Sequence, residues 1–194
     1  MNRRTRLGTL RVLVVYAFVG VLLWLSTPTL PLVAIGGILV AAGEAMRIWA
    51  AGHLLKTREL AVSGPYRYTQ NPLYLGRLLI LAGFCLMARF PVRVGGRTWP
   101  GNLLALALGC AAFFTYYLPR KVRIEGARLR QVHGAAWSDY AAGVPVLFPR
   151  AIPHGRSVRV WEAARMLRNR EPWMLAGVCV LWLAFLLKAL AERN

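Results

Sequence analysis

Apolar residues in this chain fall into blocks separated by charged or turn-forming positions. The blocks cover about 10–30, 32–52, 72–90, 102–118 and 172–190. Each approaches the roughly 17–25 residues that a helix needs to cross a bilayer. The pattern predicts an all-α fold: a polytopic membrane protein with about five transmembrane helices. Ser26, Thr27, Pro28 and Pro31 leave room for only a tight turn between the first two blocks, so residues 1–52 read as a scaffold helical hairpin. Spans three and four are joined by RFPVRVGGRTWPG, where Gly95, Gly96, Pro100 and Gly101 predict a turn-rich loop.

Beyond the fourth block the periodicity changes. In LPRKVRIEGARLRQVHGAAWSDYAAGVPVLFPRAIP, a helical wheel places Val122, Glu125, Leu129, Val132, Ala136 and Tyr140 in one stripe and Arg123 and Arg130 opposite. This predicts a cytoplasmic interfacial helical segment with Glu125 on its apolar face. Gly126 and Gly134 weaken the helix. A break is expected near His133 and Gly134, then a shorter helix ending before Pro145. The chain reads as a single membrane domain over 1–194, with a core at 53–153 and a basic linker plus last span at 154–194.

Composition agrees with the pattern: 57% of the 194 residues are hydrophobic, and the mean hydropathy is +0.46. The formal charge of +18, from 25 basic and 7 acidic residues, would suggest nucleic acid in a soluble protein. No nucleic-acid motif accompanies it, and its placement has another explanation. With a cytoplasmic N-terminus, Arg3, Arg4, Arg6, Lys56, Arg58, Arg67 and the stretch from Arg120 to Arg170 fall on the cytoplasmic side. Arg89, Arg93, Arg97, Arg193 and Lys188 fall on the other. This is the positive-inside pattern, and it points to anionic membrane lipids as partners, with no nucleic acid. The N-terminal basic cluster and apolar run lack a small-residue cleavage site, so the first block reads as a retained anchor. Cys85, Cys110 and Cys179 each lie inside a block, without a CxxC pair or a nearby histidine, and read as packing residues. No metal site is expected.

Glu44 and Arg47 lie near the cytoplasmic end of span two, and Arg77 one turn into span three. Ionisable groups within a bilayer are costly and therefore functional candidates. The alternative is that Arg47 snorkels to the headgroups while Glu44 pairs with it as an i, i+3 neighbour.

The chemistry centres on GPYRYTQNPLYLG, Gly64 to Gly76. Asn71 followed by Pro72 marks a helix start, since Asn is a strong N-cap and Pro is favoured at the first helical position. Tyr66, Tyr68 and Tyr74 could be interfacial aromatics only. A helix N-terminus opening on a cavity also offers unpaired N–H groups and a positive dipole end to a carboxylate or phosphate. Glu125 offers the complementary partner for an ammonium. An amino acid, or a derivative such as S-adenosylmethionine, carries both groups.

These residues resemble the isoprenylcysteine carboxyl methyltransferase and phospholipid methyltransferase superfamily, integral membrane enzymes that use S-adenosylmethionine. Gly64, Pro65 and Tyr66 match its Gly-Pro-Tyr turn, and Pro72, Tyr74 and Gly76 match its Arg-His-Pro-x-Tyr-x-Gly element. Glu125, Leu129, Gly134, Trp137, Tyr140, Val144 and Pro145 match the last element, and RIWAAGHLLKTRELAVS resembles bacterial members. The resemblance covers about Gly43 to Pro153. Gln70 and Asn71 replace Arg-His, Gly126 replaces a second glutamate, and His133 replaces a phenylalanine.

The resemblance implies a methyltransferase of the bacterial inner membrane with its cofactor site on the cytoplasmic side. The acceptor would be lipophilic, a small molecule or lipid, and carboxyl O-methylation is the leading reaction. Tyr66, Gln70, Asn71, Pro72, Tyr74 and Glu125 would bind the cofactor, and Arg67 or Arg77 would orient an anionic substrate. A carboxylate acceptor needs no general base and none is identified; an amine or phenol would call on His53 or His133. Three other readings stay open: a lipid-amine N-methyltransferase, an NADPH-dependent membrane reductase of the sterol reductase type, and a non-catalytic membrane scaffold.

Overall fold

A computed structural model describes residues 16–55, 59–157 and 159–192. The basic head with Arg3, Arg4 and Arg6, the first part of the first apolar block, Lys56, Arg58 and Arg193 lie outside the described residues. The fold is mostly helical: α1 (Tyr16–Leu25), α2 (Leu30–His53), a 3-10 turn (Gly64–Arg67), α3 (Pro72–Met87), strands β1 (Pro91–Val94) and β2 (Arg97–Pro100), then α4 (Gly101–Ala112), α5 (Leu118–His133), α6 (Ala135–Gly143), α7 (Ala163–Arg168) and α8 (Glu171–Ala191).

α2 and α3 form the central antiparallel pair, and glycines set their spacing. A β-carbon at Gly43 would lie 2.6 Å from the Gly76 carbonyl oxygen, and one at Gly36 would lie 2.6 Å from that of Gly83. The two contacts are seven positions apart on each helix, so one small-residue face of α2 lies flush along one of α3. Close backbone approach of this kind is what holds helices together where no hydrophobic effect separates them from lipid. Beside this pair, α8 packs Phe185 onto Phe84 with ring centroids 5.8 Å apart. Both side chains are buried, along with Val33, Met87 and Val178.

Among the described residues, three helices are long and apolar enough to cross a membrane: α2, α8, and a continuous helix of 33 residues, Gly101–His133, into which α4 and α5 merge. α1 and α3 are apolar but shorter. Large apolar side chains face outward, among them Trp24, Ile38, Leu108 and Val180, as expected of surfaces that meet lipid. The molecule is thus a mostly helical, membrane-type protein, with a two-stranded sheet where the sequence suggested only a turn-rich loop. β1 and β2 pair with Val94 opposite Arg97, leaving Gly95 and Gly96 as a two-residue turn. Both have positive φ, 59° and 76°, the backbone that matches the twist of a tight hairpin.

The fourth block does not end near residue 118. A π-helical turn, Phe113–Tyr117, carries α4 into α5, and at roughly 1.5 Å per residue the 33-residue helix is about 50 Å long. Part of it therefore extends past a hydrocarbon layer about 30 Å thick. The break near Gly134 is present. Its φ of 52° and ψ of −123° suit glycine, and α6 follows and ends ahead of Pro145. The wheel holds in part: Tyr140 turns inward as its stripe predicts, but Val132 and Ala136 of that stripe are exposed, and Trp137 is buried beside Tyr140.

At one end of the bundle, Lys188 donates from Nζ to the carbonyls of Leu23, 2.8 Å, and Trp24, 3.1 Å, and so caps α1. The Thr27 amide donates to the Arg89 carbonyl at 2.6 Å. The C-termini of α1, α3 and α8 and the N-terminus of α2 share that end. The C-terminus of α2 and the N-termini of α3 and α8 share the other, where the cavity lies.

Candidate functional site

The opening motif folds as a turn gripped by a strap. From Val144 to His154 the chain runs beside residues 67–70. The Gln70 amide donates to Pro145, 2.9 Å; the Arg150 amide to Tyr68, 3.0 Å; and the His154 amide to Arg67, 2.9 Å. Side chains add to these backbone ties. Thr69 Oγ1 donates to Leu147, 2.8 Å, Gln70 Nε2 to Val144, 2.6 Å, and Asn71 Nδ2 to Val146, 2.8 Å. From α6, the Tyr140 phenol donates to the Tyr66 carbonyl at 2.8 Å. Turn, strap and α6 thereby become one wall. Burial holds the Tyr66 and Tyr140 phenols well above their ordinary value.

Asn71 and Pro72 do start α3, as the sequence suggests, with Pro72 in the first turn. The Asn71 side chain, however, makes no cap hydrogen bond to the helix, because its amide is turned toward the strap. The first turn of α3 therefore has no side-chain partner from its own cap residue.

Between this wall, α3 and α5 lies a cavity of about 800 Å³. Tyr66, Gln70, Asn71, Pro72, Tyr74, Arg77 and Glu125 all line it. Arg67 does not: its guanidinium donates to the His154 carbonyl, 3.2 Å, and to that of Gly155, bracing the strap. Of the two histidines proposed as bases, His133 faces the cavity, while His53 is buried beneath Gly64, its Nδ1 without a hydrogen-bond partner among the described residues.

Glu125 has partners of two kinds. The Tyr74 phenol lies 3.0 Å from each carboxylate oxygen. Lys121, one turn earlier on α5, places Nζ 2.8 Å from Oε1, and the Glu125 side chain remains 44% exposed. The Arg77 guanidinium lies 5.5 Å from the Tyr74 ring centroid and donates to the Tyr117 phenol at 2.7 Å. Both cations thus flank one ring, an arrangement favoured by its quadrupole.

The floor is a buried charge cluster. Arg47 on α2 donates to Glu171 at the start of α8, at 2.5 Å, and to the Leu73 carbonyl of α3, at 3.5 Å. Arg47 and Glu171 line the cavity. Glu44 pairs with Arg47 Nε at 4.0 Å, too far for a hydrogen bond, and among the described residues its carboxylate oxygens accept none. The i, i+3 ion pair of Glu44 with Arg47 that the sequence suggests is present at 4.0 Å, and a closer partner joins it in Glu171, 124 positions away. Asn169, just ahead of α8, closes the end of α2 by donating to the carbonyls of Ala51, 3.0 Å, and Leu54, 3.1 Å.

Sequence reasoning missed Lys121, whose i, i+4 spacing to Glu125 was available, and Glu171, for which no local signal exists. Among the described residues no group of three or more His, Cys, Asp or Glu side chains gathers to hold a metal ion.

The chain is similar to the cobalt-zinc-cadmium resistance protein CzcN of Cupriavidus metallidurans, 28% identical over 174 residues, which cover 86% of this chain and 74% of that protein. No family model matches the chain, and no solved structure matches it.

Proposed function

We propose that this protein is an S-adenosylmethionine-dependent methyltransferase acting on a lipophilic acceptor in the bilayer, with carboxyl O-methylation as the leading reaction. One observation supports the reading above others: Tyr66, Pro72, Tyr74, Glu125, Trp137 and Tyr140, which carry the family resemblance from distant parts of the chain, line a single cavity. Its volume of about 800 Å³ falls within the roughly 300–1,000 Å³ of small-molecule sites.

The donor set suits a zwitterionic cofactor. The first turn of α3, free of a side-chain cap, meets a carboxylate through its positive dipole end and the Leu73 N–H, since Pro72 has no N–H and the Tyr74 and Leu75 amides donate to the Asn71 carbonyl. Glu125 keeps lone pairs for an ammonium beyond those used by Lys121 and Tyr74. Bound there, the cofactor supplies an electrophilic methyl group on a sulfonium. The chain's own work is positioning and dehydration: Leu60, Leu129 and Trp137 make an apolar wall that excludes water, and Arg77 orients an anionic acceptor. A carboxylate nucleophile arrives ionised; an amine would pass its proton to His133, which lines the cavity.

In this reading α1 and α3 also cross the bilayer, giving about five spans. The basic residues at the cavity end make that end, and the N-terminus, cytoplasmic at the inner membrane, where anionic headgroups meet them. The likeness to a protein named for cobalt-zinc-cadmium resistance proposes metal stress as the setting, with the chain modifying a lipophilic molecule there.

The test is incubation of purified protein with methyl-radiolabelled cofactor and native membrane lipids, then base treatment of the labelled product. Base-labile label supports a methyl ester, and base-stable label an amine acceptor. Binding of S-adenosylhomocysteine with no transfer to any lipid leaves the scaffold reading. Binding of NADPH in its place leaves the reductase.

A further inference from the structure

The β1–β2 hairpin lies at the end of the bundle away from the cavity, and its two faces differ. Directly opposed residues in an antiparallel pair share a face. The register of Val92 with Trp99 and Val94 with Arg97 therefore gathers Val92, Val94, Trp99 and Arg97 on one face. Arg93 and Thr98, also opposed, lie on the other.

The structure also orients the sheet. A β-carbon on Gly101, the first residue of α4, would meet the Val92 side chain at 2.6 Å, and the Gly101 amide donates to the Phe90 carbonyl at 2.8 Å. The Val92 face is thus turned toward the start of α4, the side from which that apolar helix departs. On that face Val94 is 60% and Trp99 46% exposed among the described residues.

We propose that the hairpin is an interfacial membrane brace. It lies on the lipid headgroups opposite the cavity, with Val94 and Trp99 entering the upper acyl region, Arg97 meeting lipid phosphates and the Arg93–Thr98 face in water. Tryptophan favours this depth, a chain-borne arginine snorkels to phosphate, and the hairpin joins two apolar helices that would otherwise leave the bilayer at a loose loop. The brace fixes the tilt of α4 against α3, and α4 continues into the helix that carries Glu125. This inference rests on the proposed crossing of α3 and α4, not on methyl transfer.

The test uses nitroxide labels on Val94→Cys and Thr98→Cys, in a background with Cys110→Ala and Cys179→Ala, in vesicles containing phosphatidylglycerol. The Val94 label should collide several-fold more with oxygen than with a water-soluble nickel chelate, and the Thr98 label should show the reverse. Equal water access at both sites, or a Val94 label shielded from both agents, overturns the brace. Quenching by brominated lipid, compared between the wild type and Trp99→Phe, gives a second readout without a label; no loss of quenching in the variant also overturns it. The crossing is checked independently with an impermeant maleimide, which should reach Thr98→Cys and Gln131→Cys from opposite faces of the membrane. Labelling from the same face refutes the crossing itself.

Discussion

The Tyr74 phenol on α3 sits 3.0 Å from both carboxylate oxygens of Glu125 on α5, joining two helices that are 51 positions apart in the chain. This bond fixes the carboxylate against the cavity wall while leaving it partly open.

Replacing Glu125 with Gln should weaken S-adenosylhomocysteine binding by about 1–3 kcal/mol, the scale of a charge-assisted hydrogen bond. Calorimetry in detergent measures it, and unchanged affinity removes Glu125 from the site. Tyr74→Phe leaves Lys121 on the carboxylate, so its cost should be smaller, about 1 kcal/mol.

Arg47→Met should be the most damaging single change at the floor. It strands Glu171 and removes the cation paired with Glu44, whose carboxylate already accepts no hydrogen bond among the described residues. Breaking a buried ion pair costs about 3–5 kcal/mol, whereas Glu171→Gln, which keeps an oxygen acceptor for Arg47, should cost less. Unfolding in graded detergent, followed by tryptophan fluorescence, ranks the two.

Glycine substitutions should separate close contact from open space. Gly43→Ala drives a methyl into the Gly76 carbonyl at 2.6 Å and should destabilise by about 1–3 kcal/mol as α2 and α3 are forced apart. Gly126→Ala meets only the Trp137 ring, at 3.7 Å, and should stabilise α5 by up to about 1 kcal/mol through helix propensity. Equal effects would refute the close-packed seam.

Alkaline pH should destabilise the wall. The folded values of Tyr66 and Tyr140 are raised above the ordinary 10.0 by burial, so above that pH the unfolded chain loses protons that the folded one keeps. Stability is then full below about pH 10 and falls as pH rises further. Absorbance titration of phenolate should show these two tyrosines ionising only together with unfolding, and their separate replacement by Phe should lessen the pH dependence.

Local features were readable where short-range physics decides them. The Asn71–Pro72 start, the Gly134 break and the end of α6 before Pro145 follow from backbone preferences, and the membrane-type helices follow from length and hydropathy. Long-range partners were not readable. Nothing near Arg47 announces Glu171, and the Asn71 amide abandons its capping role because a strap 75 positions away offers a carbonyl. The helical wheel places Tyr140 inward correctly but misplaces Val132 and Ala136, because the positive-φ Gly134 breaks the single helix whose phase the wheel assumes. The continuity of α4 and α5 depends on a π-helical turn that hydropathy does not register.

Glu171, the first residue of α8, has a consequence for biosynthesis. Until α8 leaves the ribosome, the guanidinium on α2 has only Glu44, at 4.0 Å, and lacks its hydrogen-bonded acid, so the cavity lacks part of its base. A chain truncated ahead of α8 should therefore be rejected by quality control even though it retains every residue that carries the sequence resemblance, which makes α8 the gatekeeper of maturation.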